Sequence, residues 1–398
     1  MAAPALDLAA LATYFDTSAT TPPAEAVLQV MAEVQTTAWA NPSSLHGPGL
    51  AASEQLERCR QSLANLLGCD ADELVVTSGG TESIHLALLG AAAPLQPGRL
   101  LISAVEHPAG QAAASRLAER GWQVQTIPVN CQGLLDLNAF EELLSPPTRL
   151  VSLIWGQNEV GTLQPIEVIG ALCRAAGVLL HVDAVQVLGH LPISFRDLPV
   201  DLLSGAAHKL QGPRGVGLLL LRKGVAFQGQ LLGGGQEGGR RGGTEPVVLL
   251  AGLTKALELA RQVPSPAPLR NQLLGKLLSV PGVRLSGPDP GPWRLPHHIS
   301  LLISADDGRP VAGRWLVREL ARQGYATSSG SACSSSGSAA SPVLLAMGYS
   351  EDEACSGIRI SLGPWHTAAD GEALAAALAH ILKRGGTSSL ASADPIQH

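Results

Sequence analysis

The sequence predicts an α/β protein whose main sheet is mostly parallel and covered by helices on both faces. Short apolar runs alternate with helix-length segments from about residue 50 to 260, which is typical of βαβ units. These runs are continuously apolar instead of alternating with polar residues, as expected for strands buried on both faces. Beyond residue 262 the pattern changes, and we expect a smaller α+β domain there.

The elements follow from the chain in order. The predicted strands of the large sheet cover residues 74–77, 100–103, 150–154, 178–182, 201–204 and 217–221, and intervening helices cover 54–67, 108–120 and 166–176. A helix over 247–262 runs into three closely spaced prolines, which mark a boundary. The smaller domain then has strands at 298–303 and 357–363, a helix within 308–323 and a closing helix over 368–383.

The domain boundaries follow from these elements. Residues 16–262 form the large domain, and residues 1–15 with 263–384 form the small one. Residues 385–398 have too little apolar surface to offset the entropy of ordering, so we expect a disordered tail.

Composition excludes several classes of protein. The chain has 398 residues, of which 45% are hydrophobic and 15% charged, with a net charge of −6, so neither nucleic acid nor an anionic membrane is an expected partner. No apolar run reaches the roughly 18 residues that span a bilayer, and the first residues lack the pattern of a signal peptide. The six cysteines are scattered without a CxxC pair, which argues against a zinc site and a disulfide framework. We therefore expect a cytoplasmic protein.

A lysine and an aspartate stand at the ends of consecutive predicted strands. Asp183 ends one strand, and Lys209 follows the next within a turn rich in glycine. Lysine can bind an aldehyde covalently, and a buried carboxylate can keep a pyridine nitrogen protonated, so the pair suits an aldehyde cofactor. An isolated lysine after a strand is usually a solvated surface residue. Here several other predicted strands also end in residues with matching chemistry, which favours a functional role for Lys209.

The segment after the first strand could bind a phosphate. Thr77-Ser-Gly-Gly-Thr-Glu-Ser-Ile opens a helix, and the backbone amides around Gly80, the Thr81 hydroxyl and the helix N-terminus form a cradle for an anion. An ordinary capped helix start is the alternative. The segment matches neither a Walker A loop nor GxGxxG, which disfavours nucleotides.

Three further polar residues follow strands. His107 could lie over a planar ring and move protons, Asn158 could bind a cofactor oxygen or a substrate carboxylate, and Gln186 lies one helical turn beyond Asp183. The alternatives are a structural histidine, a turn-forming asparagine and an amide on a helix surface.

Two loops carry further candidates. The run from Gly233 to Thr244 is too rich in glycine for a helix or strand, and it could bring Thr244 and its arginines to an anion, although a flexible linker is the alternative. Cys333 stands in a Ser/Gly-rich segment that suits a nucleophile, whereas the other five cysteines lie in helical or apolar contexts and are expected to be inert. Arg359 on the following strand could bind a carboxylate, or it could be structural.

The ordered motifs together resemble one family. The match covers about residues 14–365 and consists of Tyr14-Phe-Asp-Thr-Ser-Ala-Thr-Thr-Pro, Asn41-Pro-Ser-Ser-Leu-His, Thr77-Ser-Gly-Gly-Thr-Glu-Ser, Glu106-His, Asn158-Glu-Val-Gly, His181-Val-Asp-Ala-Val-Gln, His208-Lys, Arg241-Gly-Gly-Thr and Ser328-Ser-Gly-Ser-Ala-Cys. These segments closely resemble the cysteine desulfurases, class V of the fold-type-I pyridoxal-phosphate enzymes. The cysteine motif and its long loop are similar to group I.

The resemblance implies roles in cofactor binding. Lys209 would bind the aldehyde of pyridoxal 5'-phosphate (PLP) and later take the Cα proton of the substrate. Asp183 would pair with the ring nitrogen, His107 would stack on the ring, and Gln186 would contact the ring hydroxyl. The remaining cofactor ligands implied by the resemblance are Gly80, Thr81, His208 and Asn158, with Thr244 arriving from the second subunit of a homodimer.

The resemblance also implies the reaction. Asn158 and Arg359 would hold the carboxylate of L-cysteine, and the Cys333 thiolate would take its sulfur, leaving L-alanine and a persulfide. The persulfide would pass to an acceptor or scaffold protein for iron–sulfur clusters or thio-cofactors. Two other functions stay open: a PLP-dependent lyase acting on cystine or selenocysteine, and a degenerate sulfur-transfer scaffold.

Two positions depart from the family pattern. The family usually has Ser-Gly before His-Lys, and this chain has Ala206 and Ala207 there, so one phosphate donor is lost. The loss of such a donor costs about 1–3 kcal/mol if its place stays dry, which predicts weaker retention of the cofactor. The stretch from Cys333 to Pro342 is also longer than usual and rich in Ser and Ala, so docking of the acceptor is expected to differ.

Overall fold

The structure, a computed structural model, describes residues 8–330 and 340–385. Its strands are β1 (Leu74–Thr77), β2 (Arg99–Ser103), β3 (Gln123–Ile127), β4 (Thr148–Ile154), β5 (Leu179–Asp183), β6 (Leu202–Ala206), β7 (Gly217–Leu221), β8 (Val283–Leu285), β9 (His298–Ile303) and β10 (Gly357–Ser361). Short 3₁₀ turns cover Ala71–Glu73, Ala207–Lys209 and Gln236–Gly239.

The helices lie between and after these strands. They are α1 (Leu8–Ala12), α2 (Glu25–Thr37), α3 (Gly47–Leu67), α4 (Gly80–Ala92), α5 (Pro108–Ala118), α6 (Leu137–Leu143), α7 (Ile166–Ala176), α8 (Val247–Ala260), α9 (Ala267–Leu278), α10 (Gly313–Arg322), α11 (Pro342–Ala346), α12 (Glu351–Cys355) and α13 (Ala368–Gly385). Within the described ranges, the helices are too short or too polar to cross a membrane.

The large sheet has seven strands in the order β1-β7-β6-β5-β4-β2-β3. Strands β2 to β6 pair in parallel, and only β7 runs antiparallel to its neighbours β1 and β6. The mostly parallel sheet predicted from the apolar runs is therefore confirmed. Strand β3 was missed, because this edge strand carries the polar sequence Gln-Val-Gln-Thr-Ile and four of its five residues are exposed.

The leucine-rich strand β7 shows why the large sheet tolerates continuous apolar runs. Leu218 and Leu220 belong to the core on one face of the sheet, whereas Leu219 and Leu221 belong to the core on the other face. Successive side chains of a strand point to opposite faces, so both faces need apolar residues when helices cover both.

The small sheet is antiparallel, in the order β10-β9-β8. Ile299, Leu301 and Ile303 of β9 pack into a core that also contains Phe15, which comes from the other end of the chain. Leu302, on the opposite face of β9, packs in a cluster with Ile154 at the end of β4. The small sheet therefore lies against the carboxyl edge of the large one, and the candidate site is at this junction.

Candidate active site

Three neighbouring strands bring the candidate residues to one edge of the large sheet. Ile154, Asp183 and Ser204 lie opposite one another on β4, β5 and β6. The chain therefore leaves all three strands at the same edge, where ligands gather in open α/β sheets. Lys209 follows β6 in the 3₁₀ turn, and Asn158 follows β4 by four residues.

Lys209 is held by an N-terminal segment that lies across the sheet edge. Its Nζ donates to the carbonyl oxygens of Ser18 at 2.6 Å and Ala19 at 2.7 Å. The backbone beside it is fixed by Thr21, whose amide and hydroxyl both donate to the His208 carbonyl at 2.8 Å. These contacts direct the amine toward a defined position at the end of β6.

Asp183 is a buried carboxyl next to the lysine. Its Oδ1 accepts from the Val185 amide at 2.9 Å. Burial raises the pKa of Asp183 to about 6, opposed by this hydrogen bond and by the positive charge of Lys209. A protonated pyridine nitrogen placed here would add a cation and favour the ionised carboxylate.

Gln186 lies in a turn after β5, in which the Leu188 amide donates to the Ala184 carbonyl at 2.8 Å, and it belongs to none of the helices of the described residues. The residue is buried, and its Nε2 donates to the Ser18 carbonyl at 2.9 Å. Its Oε1 is buried without a hydrogen-bond partner in the described part of the chain. A buried amide oxygen without a partner leaves room for a donor from a ligand.

His107 forms the N-cap of α5. Its Nδ1 accepts from the Ala109 amide at 3.1 Å, so the neutral ring carries its proton on Nε2. Burial and the nearby Lys209 charge lower the pKa of His107 to about 4. The ring is therefore neutral at physiological pH, as a group that stacks on an electron-poor ring should be.

The turn from β1 to α4 forms the proposed phosphate cradle. Gly79 has a φ of 155°, and a Cβ on Gly80 would come within 2.8 Å of Val185, which follows Asp183. The same Cβ would stand 3.7 Å from Ala206. Thr81 is exposed in the first turn of α4. Glycine therefore lets the backbone amides of this turn approach the ends of β5 and β6.

His208 lies on the same side as this cradle, two residues after Ala206. Its Nδ1 is 3.2 Å from the Thr20 hydroxyl oxygen. Burial and the charges of Lys209 and Arg214 lower the pKa of His208 to about 4. A phosphate group would counter the two cations and supply an acceptor for this ring.

The glycine-rich loop is anchored and is not a free linker. Glu237 accepts from the Val76 amide at 2.9 Å and forms an ion pair with Arg60, and Arg241 pairs with Glu82 at 2.8 Å. The loop includes the 3₁₀ turn Gln236–Gly239, whereas no helix was predicted there.

Thr244 lies at the end of this loop and is exposed. It lines a surface pocket with Trp39, Asn41 and Pro246, and the lining contains none of the other residues assigned to the cofactor. Within one subunit, therefore, this pocket does not join Thr244 to the rest of the site.

The substrate side of the site comes from the small sheet. Arg359 on β10 is buried, and it donates from Nη1 to the Asn158 carbonyl at 2.9 Å and from Nη2 to Asp16 Oδ1 at 2.7 Å. His298 also contacts the Asn158 carbonyl, at 3.1 Å. The Asn158 Oδ1 and the Arg359 Nε are buried without hydrogen-bond partners in the described residues. These two atoms are available to a polar ligand.

Cys333 lies outside the described residues, but the chain on either side of it is described. Ser328 pairs with Arg359, its amide donating to the Arg359 carbonyl at 3.1 Å. The Ser341 hydroxyl donates to Glu159 Oε2 at 2.6 Å, next to Asn158. The segment that contains Cys333 is thus attached at both ends beside the substrate side of the site.

Sequence reasoning missed several residues. Asp16 pairs with Arg359 across the chain, and only its place in the N-terminal motif could have drawn attention to it. Glu106 is buried next to His107, accepts from the Ile154 amide at 2.8 Å, and has a pKa raised well above its usual value by burial. Cys131, expected to be inert in an apolar context, is exposed instead.

The chain matches one family of known proteins over most of its length. The model of the family "Aminotransferase class-V" matches residues 13–374. A cysteine desulfurase of Cereibacter sphaeroides is 42% identical over 90% of this chain and 92% of its own length. The cysteine desulfurase IscS of Clostridium botulinum is 35% identical over 93% of this chain and 94% of its own length.

Solved structures give the same family. A NifS-like protein superposes with a TM-score of 0.86 at 32% identity and covers 94% of this chain and 99% of its own. A structure described as SspA in complex with cysteine has a TM-score of 0.79 at 32% identity, covering 89% of this chain and all of its own. The chain therefore belongs to the class-V aminotransferase family and, within it, to the PLP-dependent cysteine desulfurases.

Proposed function

We propose that this protein takes sulfur from L-cysteine with PLP and leaves it as a persulfide on Cys333. One sulfur atom leaves the cysteine carbon and bonds to the Cys333 sulfur, so that cysteine and one thiol become L-alanine and one persulfide. The observation that carries the proposal is the position of Lys209 and Asp183 at the edge of the large sheet where Asn158, four residues after β4, binds Arg359 of the small sheet.

The residues on the large sheet fit the cofactor. PLP supplies an aldehyde for an amino group and an electron-withdrawing ring. Lys209 would hold that aldehyde and take the Cα proton of the substrate, while the Asp183 carboxylate would keep the ring nitrogen protonated. His107 would contact the ring through a neutral imidazole, in line with its lowered pKa. The buried Gln186 Oε1 accepts from the ring hydroxyl.

The phosphate is held at the start of α4. The amides around Gly80, the Thr81 hydroxyl and His208 donate to it, and the helix N-terminus adds a favourable dipole. A hydroxyl at position 206 would stand close to the same cradle, but this chain has the Ala206 methyl group there.

The small sheet binds the substrate. Arg359 holds the α-carboxylate, supported by its buried Nε, which has no partner in the described residues, and the Asn158 amide would donate from Nδ2. The described residues on either side of the segment that carries Cys333 contact this half of the site, Ser328 through the Arg359 backbone and Ser341 through Glu159. The thiol can therefore be supplied from beside the bound substrate.

The active protein is a homodimer in this proposal. Large apolar side chains are exposed around the glycine-rich loop and the segment after α2, namely Trp39, Leu45, Leu231 and Leu232. Such residues mark an interface. Thr244 lies among them and would reach the phosphate of the second subunit.

Sedimentation velocity should give a dimer; a monomer with full activity would contradict the proposed dimer. A cytoplasmic location and an acceptor protein for the sulfur complete the proposal.

The decisive experiment is incubation of the holoenzyme with L-cysteine, followed by measurement of alanine and mass mapping of the persulfide. We expect equal amounts of alanine and persulfide in a single turnover, with the extra sulfur on Cys333. Cys333→Ser should abolish alanine formation, whereas Cys131→Ser, at an exposed cysteine, should leave it unchanged. A Cys333→Ser variant that still forms pyruvate and cysteine persulfide from cystine would indicate a lyase, and a purified protein that fails to bind PLP would indicate a scaffold.

A further inference from the structure

We infer that Asp16 is a positioning residue that acts through Arg359 and limits how tightly the site binds the substrate's carboxylate. The inference rests on the proposed role of Arg359 in binding that group. No feature of the motif that contains Asp16 predicts this function, since Asp16 contributes to the site through a contact 343 residues away in sequence.

Asp16 is fixed by backbone contacts to the small sheet. The segment around it pairs with β10, because Asp16 bridges to Ser361 in parallel and the Ser361 amide donates to the Phe15 carbonyl at 2.8 Å. On the other side the Phe15 amide donates to the Ala326 carbonyl at 2.8 Å. Phe15 itself is fully buried in the core of the small sheet. The Asp16 carboxylate therefore cannot easily leave its position beside β10.

The carboxylate lies on the guanidinium that the substrate needs. Asp16 Oδ1 is 2.7 Å from Arg359 Nη2, and the side chains are 21% and 4% exposed respectively. In the ion pairs of the described residues, Asp16 is the carboxylate partner of Arg359. Glu159 is a second acid close enough for the charge of Arg359 to lower its pKa, although burial raises that pKa more.

The arrangement leaves part of the guanidinium for a second anion. Nη1 binds the Asn158 carbonyl and Nη2 binds Asp16, while Nε is buried without a partner in the described residues. A substrate carboxylate would share a single positive charge with Asp16. Two carboxylates on one guanidinium repel each other, so the affinity for the incoming one is lower than it would be for an unshared arginine.

This sharing favours release of the product at the cost of weaker binding of the substrate. The substrate cysteine and the product alanine carry the same α-carboxylate, so an arginine with its full charge would hold both more tightly. Asp16 keeps the Arg359 guanidinium oriented and neutralised between turnovers. It also lowers the affinity of this guanidinium for the carboxylate of the product alanine. The residue thus tunes turnover without touching the reacting sulfur.

The test is the isosteric variant Asp16→Asn, which keeps an acceptor for Nη2 and removes the charge. We expect the KM for L-cysteine and the inhibition constant of L-alanine to fall together, each by about tenfold. Cysteamine, which lacks the carboxylate, should bind equally well to both proteins. Alanine binding is also measured at equilibrium through the cofactor's absorbance, which does not depend on turnover.

A double-mutant cycle tests the role of Arg359 in carboxylate binding separately from the role of Asp16. Arg359→Met should raise the KM for cysteine, and in that background Asp16→Asn should change alanine binding by less than it does when Arg359 is present. If Arg359→Met leaves the KM unchanged, the proposed role of Arg359 fails. If it raises the KM, but Asp16→Asn weakens carboxylate binding or changes cysteamine and alanine equally, the inference about Asp16 is overturned. The thermal unfolding midpoint of each holoenzyme shows whether the variants are folded.

Discussion

The two halves of the site are built in different ways. The cofactor half, around Lys209 and Asp183, comes from adjacent parallel strands that end at one sheet edge. The substrate half depends on contacts between distant parts of the chain, since Arg359 binds the Asn158 carbonyl 201 residues away and Asp16 343 residues away. The cofactor half follows from the topology of the large sheet, whereas the substrate half follows from the packing of the small sheet against the large one. Substitutions should therefore separate cofactor binding from substrate binding.

The largest effect is expected in the cofactor half. Lys209→Ala removes the amine that binds the aldehyde and takes the Cα proton, so kcat should fall by about 10³-fold or more. The matched control is Lys223→Ala, at an exposed lysine that pairs only with surface carboxylates in the described structure. A Lys209→Ala protein with more than a tenth of the normal kcat in the alanine assay would refute the assignment.

The substrate half should fail in a different parameter. Arg359→Met removes a buried, charge-assisted partner for the carboxylate, and kcat/KM for cysteine should fall by about 10²-fold or more, mainly through KM. The cofactor absorbance should be unchanged, because the large sheet is intact. Arg284→Met provides the control, since Arg284 lies on β8 of the same small sheet and its ion pair with Glu353 is exposed. Loss of bound PLP from Arg359→Met would show that the two halves are not separable.

The pH dependence of PLP binding tests the electrostatics of Asp183. Burial raises the pKa of this carboxyl to about 6 in the cofactor-free protein. Below pH 6 the carboxyl is protonated and cannot pair with a protonated ring nitrogen, so the Kd for PLP should rise by about tenfold per pH unit. Subtracting the profile of Asp183→Asn removes the titration of the cofactor itself. Identical profiles for the two proteins would contradict this prediction.

The same carboxyl also affects the stability of the cofactor-free protein. Because its folded pKa lies above the unfolded value of 3.8, its favourable contribution is present at low pH and is lost as the pH rises through about 6. Asp183→Asn keeps an acceptor for the Val185 amide, so it should raise the free energy of unfolding at pH 7 by about 2–3 kcal/mol. Urea unfolding at pH 4 and pH 7 measures this; a gain of the same size at both values would contradict it.

The smallest effect concerns the departure from the family pattern. Ala206→Ser places a hydroxyl near Gly80 and should slow PLP dissociation by about fivefold, equivalent to about 1 kcal/mol. Ala207→Ser is the control, because the Ala207 methyl packs in the core on one face of the sheet. Unchanged PLP dissociation in Ala206→Ser would contradict the prediction that the missing hydroxyl weakens retention of the cofactor.

The sequence predicted the large sheet well because its central strands have a single requirement, apolar residues on both faces. The edge strand β3 was not predicted, because the residues of an exposed edge strand do not need to be apolar. The cofactor half of the site could be predicted from the strand ends, because parallel strands bring their carboxyl ends together at one edge of the sheet. Asp16 and Glu106 could not be predicted, because their importance depends on which side chains they meet in three dimensions. The division between domains at residue 262 stays a prediction.

Whether Lys209 carries the PLP aldehyde can be determined by reducing the holoenzyme with borohydride and mapping its peptides. We expect one pyridoxyl adduct, on the peptide that contains Lys209, with none in cofactor-free protein treated in the same way. An adduct on another lysine, or no adduct in protein that carries its full complement of PLP, would contradict this expectation.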